Sequence, residues 1–483
     1  MLNTYKKKTK IVVTLGPASR SFETMIDLVR AGANVFRLNF SHGSHSDHKE
    51  SIDNILRFKN ELHITPSILA DLQGPKIRLG ENLNEEGEDG IEVAENEIVT
   101  FTTNANLAKP LEKIFEIRLE TFANDVTPGE KILIDDGKME FRVVETDGKE
   151  NVKLKALNGG LVKSKKGVNL PETKLSVPSL TKKDREDLEF IMTQPVDWLA
   201  LSFVRSAQDI IELREILDAN NNKMRIIAKI EKPEAIDDID AIIAATDGVM
   251  VARGDLGVEV PFEKVPIMQK EIVKKCIQLG KPVIIATQVM ESMIENPKPT
   301  RAEITDVSNV VLEGADAVML SGETSVGKHP VRVVQTIAKT VLELEKTNTI
   351  YNKNLLPNKS SDTFLADAIC YNAAKTAIDL DAKAIVAMTK SGFTARMIAS
   401  YRPQADIYAF TDDENKLSQL SLLWGVQAFY YDGKSATDEA LPEINNILKI
   451  KGLLERGDVV INTASMPLHS EGRTNMLKVS IVE

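Results

Sequence analysis

Cysteine occurs only twice in the 483 residues, at Cys276 and Cys370, each within a helix-like stretch. Neither has the neighbours of a metal site or a redox pair, so both are expected as buried, reduced thiols. No apolar run approaches the roughly 18 to 20 residues needed to cross a bilayer, which makes a cytoplasmic location the expectation and a membrane partner unexpected. Lys6, Lys7, Lys8 and Lys10 resemble the basic start of a signal peptide. The apolar stretch behind them stops at Gly16 and Pro17, however, and is read as a first strand. Basic excess is also missing: the formal net charge of −11 argues against a nucleic-acid binder, and an anionic substrate must meet a local positive cluster. No Gln/Asn, Gly/Ser or Pro tract is long enough to suggest disorder.

What is present is a 42% hydrophobic, 27% charged composition in a chain too long for one core, which implies two or three packed domains. Eight short β-branched runs alternate with amphipathic stretches: KIVVTLG from Lys10, VFRLNFS from Val35, PSILADLQG from Pro66, DWLALSFV from Asp197, RIIAKIE from Arg225, GVMVARGD from Gly248, KPVIIATQ from Lys281 and AVMLSGE from Ala317. Eight strand-helix units close a (β/α)₈ barrel, although an open doubly wound sheet would give a similar pattern. The regular spacing fails between Gly74 and about Ser176, where alternating runs are separated by Asp-Gly and Pro-Gly turns. This stretch reads as a small β-barrel lid inserted after the third strand, above the face where barrel enzymes assemble their chemistry. A fresh alternation after about Thr347 reads as a C-terminal α/β domain. The expected division is 1–74 with 176–346 for the barrel, 75–175 for the lid and 347–483 for the last domain.

The strand ends carry the chemistry. Lys229 and Glu231 are two apart, so on a strand they share a face, as do Arg37, Asn39 and Ser41. Asp255 follows the sixth run. Two carboxylates from adjacent strands suit a hard divalent ion that keeps positions open for substrate oxygens, and an ammonium beside it can neutralise a phosphoryl group in transit; a plain Lys-Glu salt bridge would use the same residues. Gly254 and its neighbours suit a tight turn opening a short helix whose amides receive a carboxylate. Thr287 and Ser321 end the seventh and eighth runs with hydroxyls, which are commonly just caps. In the last domain Thr389, Lys390, Ser391, Gly392 and Thr394 run from a strand into a helix, an arrangement that suits a phosphate or a simple capping turn.

RIIAKIEKPEA around Lys229 resembles the signature of pyruvate kinases, and TLGPAS, RLNFSHG, DLQGPKIR, KGVNLP, MVARGDLGVE, ATQVMESM, PTRAEITDVSNVVLEGADAVMLSGETSVGKHP and TKSGFTA follow in family order over nearly the whole chain. The resemblance implies transfer of a phosphoryl group from phosphoenolpyruvate to ADP, giving pyruvate and ATP in the last step of glycolysis, by a homotetramer with an allosteric C-terminal domain. It implies Glu231 and Asp255 as Mg²⁺ (or Mn²⁺) ligands, Lys229 as phosphoryl stabiliser and Arg37 as a substrate-phosphate contact. The Gly254 and Asp255 amides would hold the substrate carboxylate with Thr287, and Thr287 and Ser321 would help protonate the enolate. Arg78 and Lys165, at the two lid junctions, would approach the nucleotide phosphates, with Asn39 and His42 nearby.

One departure stands out. Many members have Thr-Lys-Gly-Pro-Glu where this chain reads Leu72-Gln73-Gly74-Pro75-Lys76. In the family Asn39, Ser41, Asp71 and the carbonyl of residue 72 surround K⁺, and the Lys76 ammonium would supply that charge internally, so K⁺ is not expected to be required. For the effector, Thr389, Ser391, Gly392 and Thr394 resemble the phosphate loop of allosteric members, with Ser470, Gly472 and Arg473 in the matching late loop. A sugar monophosphate such as ribose 5-phosphate, or AMP, is expected. The alternative enzyme class is a Mg-dependent barrel aldolase or mutase acting on pyruvate-like acids, which would need no nucleotide lid.

Overall fold

A computed structural model describes residues 6–62, 64–352, 355–433, 436–466 and 473–483. Its first architectural feature is a closed cylinder of eight parallel strands: β1 (Lys10–Thr14), β2 (Val35–Asn39), β3 (Ser67–Asp71), β4 (Trp198–Leu201), β5 (Arg225–Ile230), β6 (Gly248–Ala252), β7 (Val283–Ala286) and β8 (Ala317–Leu320). Each strand pairs with its neighbour in sequence, and β1 pairs with both β2 and β8, for example Val13 with Phe36 and with Leu320. That closure decides against the open sheet, which would leave two edges.

Residues two apart along the strands point inward together. Val12, Val35, Leu69, Trp198, Ala200, Ile227, Met250, Ile284, Ala286, Ala317 and Met319 form one buried cluster filling the cylinder, and Leu422 from the C-terminal part packs with it. The intervening residues, among them Ile11, Val13, Phe36, Ile226 and Ile285, join the surrounding helices in a second, larger core. Continuing the inward register toward the strand ends gives Thr14, Arg37, Asp71 and Lys229, so the same alternation that builds the apolar filling delivers polar groups to one mouth. Sharp helix ends hold the spacing: Thr300 and Glu303 form a capping box at one end of the helix Arg301–Glu313, and Gly314 closes the other at φ 100°.

The chain between β3 and β4 builds the lid. Its six-stranded mixed sheet runs in the order Val168–Asn169, Lys131–Ile134, Met139–Thr146, Asn151–Ala156, Ile98–Thr102 and Ile114–Glu116, with a small sheet of Ile91–Val93 and Gly160–Val162 beside it. Phe101, Phe115, Phe122 and Phe141 are fully buried in its own core. The hairpin turn from Ile134 to Met139 places Asp136 at φ 57° and Gly137 at φ 84°, the left-handed geometry that Asp-Gly favours. In the C-terminal part four parallel strands lie in the order Val426–Tyr430, Asp406–Thr411, Ala384–Met388 and Val459–Ala464, with Met476–Ile481 antiparallel at the edge.

This last unit docks on the cylinder's far end, away from the polar mouth. There Arg402, 1% exposed, bonds Asp316 at 3.0 Å and the Gly314 carbonyl at 2.7 Å, and its guanidinium lies 5.1 Å from the Trp424 ring. Cys276 and Cys370 are both free and buried, and burial pushes both thiols up, as expected of inert structural cysteines. Among the described residues no helix is long and apolar enough to cross a membrane.

Candidate active site

At the carboxyl ends of β2, β3 and β5 a buried charge network forms. Lys229 lies with its ammonium 3.0 Å from Glu231, 3.2 Å from Asp71 and 2.6 Å from the Ser202 hydroxyl. Arg37 donates through Nε to the other Asp71 oxygen at 2.7 Å and through Nη1 to Thr14 at 2.9 Å. Asp71 and Glu231 are each only 1% exposed. Burial alone would lower the Lys229 pKa, but the Asp71 and Glu231 carboxylates outweigh it and hold the ammonium above its ordinary range. Burial likewise works against ionised Asp71, yet Lys229 and Arg37 together leave it below the usual carboxylate range.

Glu231 behaves oppositely. Burial pushes its pKa up, Lys229 pulls it back, and Asp255 and Asp71 push it up again. Its second oxygen accepts the Phe203 amide at 2.7 Å, with Phe203 held at φ 54°. A carboxylate buried beside two others is short of positive charge, and hard oxygen donors suit Mg²⁺ or Mn²⁺. No group of three or more His, Cys, Asp or Glu side chains gathers as a metal cage among the described residues. Glu231 and Asp255 are hard oxygen donors of the kind that Mg²⁺ or Mn²⁺ takes, and in this structure both Glu231 oxygens are engaged, one by Lys229 and one by the Phe203 amide.

Asp255 sits in the first turn of the short helix Arg253–Glu259, directly after β6. That helix is steadied by Arg253, which bonds Asp306 at 2.8 Å and the carbonyls of Thr287 and Gln288 at 3.0 Å. The Gly254 amide does not stand free: it donates to Thr287 Oγ1 at 2.6 Å, and that hydroxyl donates to the Ala286 carbonyl at 2.6 Å. Thr287 at φ 66° turns its hydroxyl back onto the helix start, so the Gly254 amide is occupied from within the chain. Ser321 directly follows β8 and is joined to the β7 exit by Glu323, whose two oxygens accept the Ser321 amide at 2.8 Å and the Met290 amide at 3.1 Å.

The lid junctions meet: Arg78 donates to the Lys165 carbonyl at 3.0 Å, and the Lys165 ammonium lies 3.0 Å from Glu81. His42 is driven toward its neutral form by burial first, then by Lys76, Arg78 and Arg37, which places it within this positive field. Ser41 departs from the sequence expectation. β2 ends at Asn39, and the Asn39 side chain accepts the Ser41 amide at 3.2 Å, so the chain turns before Ser41 can share the strand face. Asp71 is engaged by Arg37 and Lys229, and the Leu72 carbonyl accepts the Ser202 hydroxyl at 2.6 Å. Lys76 is exposed and lines a cleft with Asn169, Lys232, Asp255 and Glu259; its amide donates to the Gly74 carbonyl at 2.8 Å, while its ammonium makes no hydrogen bond or ion pair among the described residues.

In the C-terminal part Gly392, at φ 82°, precedes the helix Phe393–Ser400, and its amide is capped by Thr389 Oγ1 at 3.0 Å. Phe393 donates to Ser391 Oγ at 3.3 Å, while the Thr394 hydroxyl lies 2.5 Å from that of Thr474. Arg473 reaches the Asp362 carbonyl. The strand-end loop and the late loop are therefore neighbours; Lys390 is exposed, and Ser470 and Gly472 lie outside the described residues.

Sequence reasoning missed Thr14, Ser202, Phe203 and Glu323. Ser202 lies in the run DWLALSFV directly after the last residue of β4 and was readable as one more polar strand end, whereas the Phe203 amide is a backbone group that carries no side-chain signal.

Comparison with known proteins gives two family models: "Pyruvate kinase, barrel domain" matches residues 6–334 and "Pyruvate kinase, alpha/beta domain" matches residues 367–480. The chain is 44% identical over 481 residues to the pyruvate kinase of Staphylococcus aureus strain MRSA252, covering 99% of this chain and 80% of that protein, and the relative in strain COL gives the same values. A crystal structure of a pyruvate kinase from Cryptosporidium parvum superposes with a TM-score of 0.90 at 33% identity, covering 99% of this chain and 97% of the other.

Proposed function

The chain belongs to the pyruvate kinase family and transfers a phosphoryl group from phosphoenolpyruvate to ADP with a divalent cation, and on that premise we propose how its own residues divide the work. Glu231 and Asp255 hold the cation, Mg²⁺ or Mn²⁺, whose charge when bound offsets that of the phosphoryl oxygens. Lys229 neutralises the phosphoryl group in transit, where catalysis rests on positioning and electrostatics rather than covalent chemistry. Arg37, fixed by Asp71 and Thr14, presents its remaining donor edge to the substrate phosphate. The Gly254 and Asp255 amides, together with Thr287, receive the substrate carboxylate once the Gly254–Thr287 bond yields. Thr287 and Ser321 deliver the proton to the enolate. Arg78 and Lys165 meet the nucleotide phosphates, with Asn39 and His42 alongside. The observation that carries this assignment is the single ammonium of Lys229 buried among Glu231, Asp71 and the field of Asp255.

The catalytic unit spans 1–74 and 176–346, the lid 75–175 and the regulatory unit 347–483, in a cytoplasmic homotetramer. Lys76 replaces the K⁺ of relatives. Its exposure at the cleft and its influence on His42 support a charge delivered to the mouth, and the Asn39, Ser41, Asp71 and Leu72 pocket is left as a weak K⁺ site at most. Thr389, Lys390, Ser391, Gly392, Thr394, Ser470, Gly472 and Arg473 bind a phosphorylated effector, a ribose 5-phosphate-like sugar monophosphate or AMP. The contact between Thr394 and Thr474 supports a two-loop site.

A coupled assay for pyruvate formation in buffer free of K⁺ and NH₄⁺ tests the core of this assignment. Turnover is expected with Mg²⁺ alone, and activation of about tenfold or more by KCl, roughly 1.4 kcal/mol of barrier, overturns the role of Lys76. Titration of ribose 5-phosphate and AMP at subsaturating phosphoenolpyruvate tests the effector site; no activation by either removes it.

A further inference from the structure

One buried ion pair lies immediately behind the cation-binding carboxylates and is not used in the steps above. Lys232 directly follows Glu231, and Glu259 lies four residues, one helical turn, after Asp255 on the same face of the helix Arg253–Glu259. The two side chains meet at 2.8 Å, with Lys232 6% and Glu259 4% exposed. They therefore bridge the two elements that carry Glu231 and Asp255. The same Glu259 oxygen accepts a second hydrogen bond, from Asn169 Nδ2 at 2.8 Å. Asn169 belongs to the last lid strand, Val168–Asn169, just before the chain returns to the barrel. Glu259 Oε2 is buried with no hydrogen-bond partner. All three residues line the cleft between lid and barrel.

An ion pair this deep is kept at a cost in desolvation, and it leaves one oxygen unsatisfied; a purely structural filler of the same volume would pack there more favourably. What the pair supplies is geometry. We propose that Glu259 is a positioning residue: with Lys232 it sets the spacing between the Glu231 and Asp255 elements, and through Asn169 it fastens the lid to that spacer. Lid placement and the geometry of the cation ligands then share one carboxylate oxygen. The inference rests on the cation and nucleotide roles proposed above. Asn169 is assigned no part in either role, so cutting its bond separates the lid arm from the cation arm.

Three single variants of the full chain test it: Asn169→Ala, Asn169→Asp and Glu259→Gln. Each is measured for kcat and KM with ADP and with phosphoenolpyruvate, for Mn²⁺ affinity by electron paramagnetic resonance without nucleotide, and for thermal melting. Loss of a hydrogen bond to a charged group corresponds to about a tenfold effect or more. Asn169→Ala is expected to lower kcat/KM for ADP about tenfold while Mn²⁺ affinity stays within about twofold. Asn169→Asp, which sets a second carboxylate against Glu259, is expected to lower it further. Glu259→Gln keeps an acceptor for Asn169 but leaves Lys232 unpaired, so Mn²⁺ affinity is expected to weaken about tenfold with a small change in KM for ADP.

Asn169→Ala kinetics within about twofold of the parent, Mn²⁺ affinity unchanged in Glu259→Gln, or a parallel loss of every parameter with melting temperature would each overturn the latch. If Glu259→Gln does not fold, the two Asn169 variants decide. An inactive parent enzyme, by contrast, would count against the proposed roles and not against the latch.

Discussion

Replacing Lys229 with methionine removes one ammonium from between two carboxylates that are each 1% exposed. Methionine conserves the length and most of the volume, so the change is almost purely electrostatic. At 3.0 Å from Glu231 and an effective dielectric constant of about 20, the gross attraction is about 5 kcal/mol, most of it spent on desolvating the pair. Breaking such a buried pair from one side typically costs about 3 to 5 kcal/mol, because Glu231 and Asp71 are left facing each other. Two consequences follow. The cation-free variant melts earlier than the parent, and Mn²⁺ restores more of the loss than it adds to the parent, since it supplies the missing charge. Turnover in the coupled assay falls by about 10²- to 10³-fold or more, the usual effect of removing one preorganised stabiliser of transition-state charge. Mn²⁺ affinity is expected to hold or tighten, because the amine no longer competes for Glu231. Turnover within about tenfold of the parent, or Mn²⁺ binding weakened about tenfold, would refute this reasoning.

Asp197, buried at the far end of the barrel and bonded to Ile68 N at 2.8 Å, has its pKa pushed from 3.8 up to about 6, chiefly by burial. Between those values the folded protein keeps a proton that the unfolded chain has released, so this group's contribution to stability is present at low pH and is lost as pH rises through the window. The change amounts to about 3 kcal/mol, and Asp197→Asn is expected to flatten the corresponding slope of melting temperature against pH; an unchanged slope counts against it. Arg402→Leu strands Asp316 at the junction with the C-terminal part and is expected to destabilise the protein by about 3 to 5 kcal/mol in urea unfolding. If Lys76 supplies the charge as proposed, Lys76→Glu removes it and is expected to create KCl activation of about tenfold or more in the coupled assay.

Most of the frame was legible because it rests on local patterns. Eight β-branched runs gave eight strands, and the inward period that packs Val35, Leu69 and Ile227 also placed Arg37, Asp71 and Lys229 at one mouth. Closure was legible only through the count of eight units and the resemblance, since pairing between Lys10 and Ala317 joins residues far apart in sequence and leaves no local trace. The charged strand ends Lys229 and Glu231 stood out, but Asp71, which Lys229 shares with Arg37, came only with the resemblance. The Phe203 amide and the Gly254–Thr287 bond depend on backbone turns at positive φ that no side-chain spacing encodes. Ser41 was misplaced for the same reason: a period of two holds only while the strand lasts, and this strand ends at Asn39.

The proposed catalytic roles depend on one cation held by Glu231 and Asp255 between the exits of β5 and β6. Mn²⁺ titration followed by electron paramagnetic resonance, on the parent and on Glu231→Gln and Asp255→Asn, addresses that without recourse to turnover. Each substitution is expected to weaken Mn²⁺ binding by about tenfold or more, roughly 1.4 kcal/mol. Parent-like affinity in either variant would place the cation elsewhere and contradict the account.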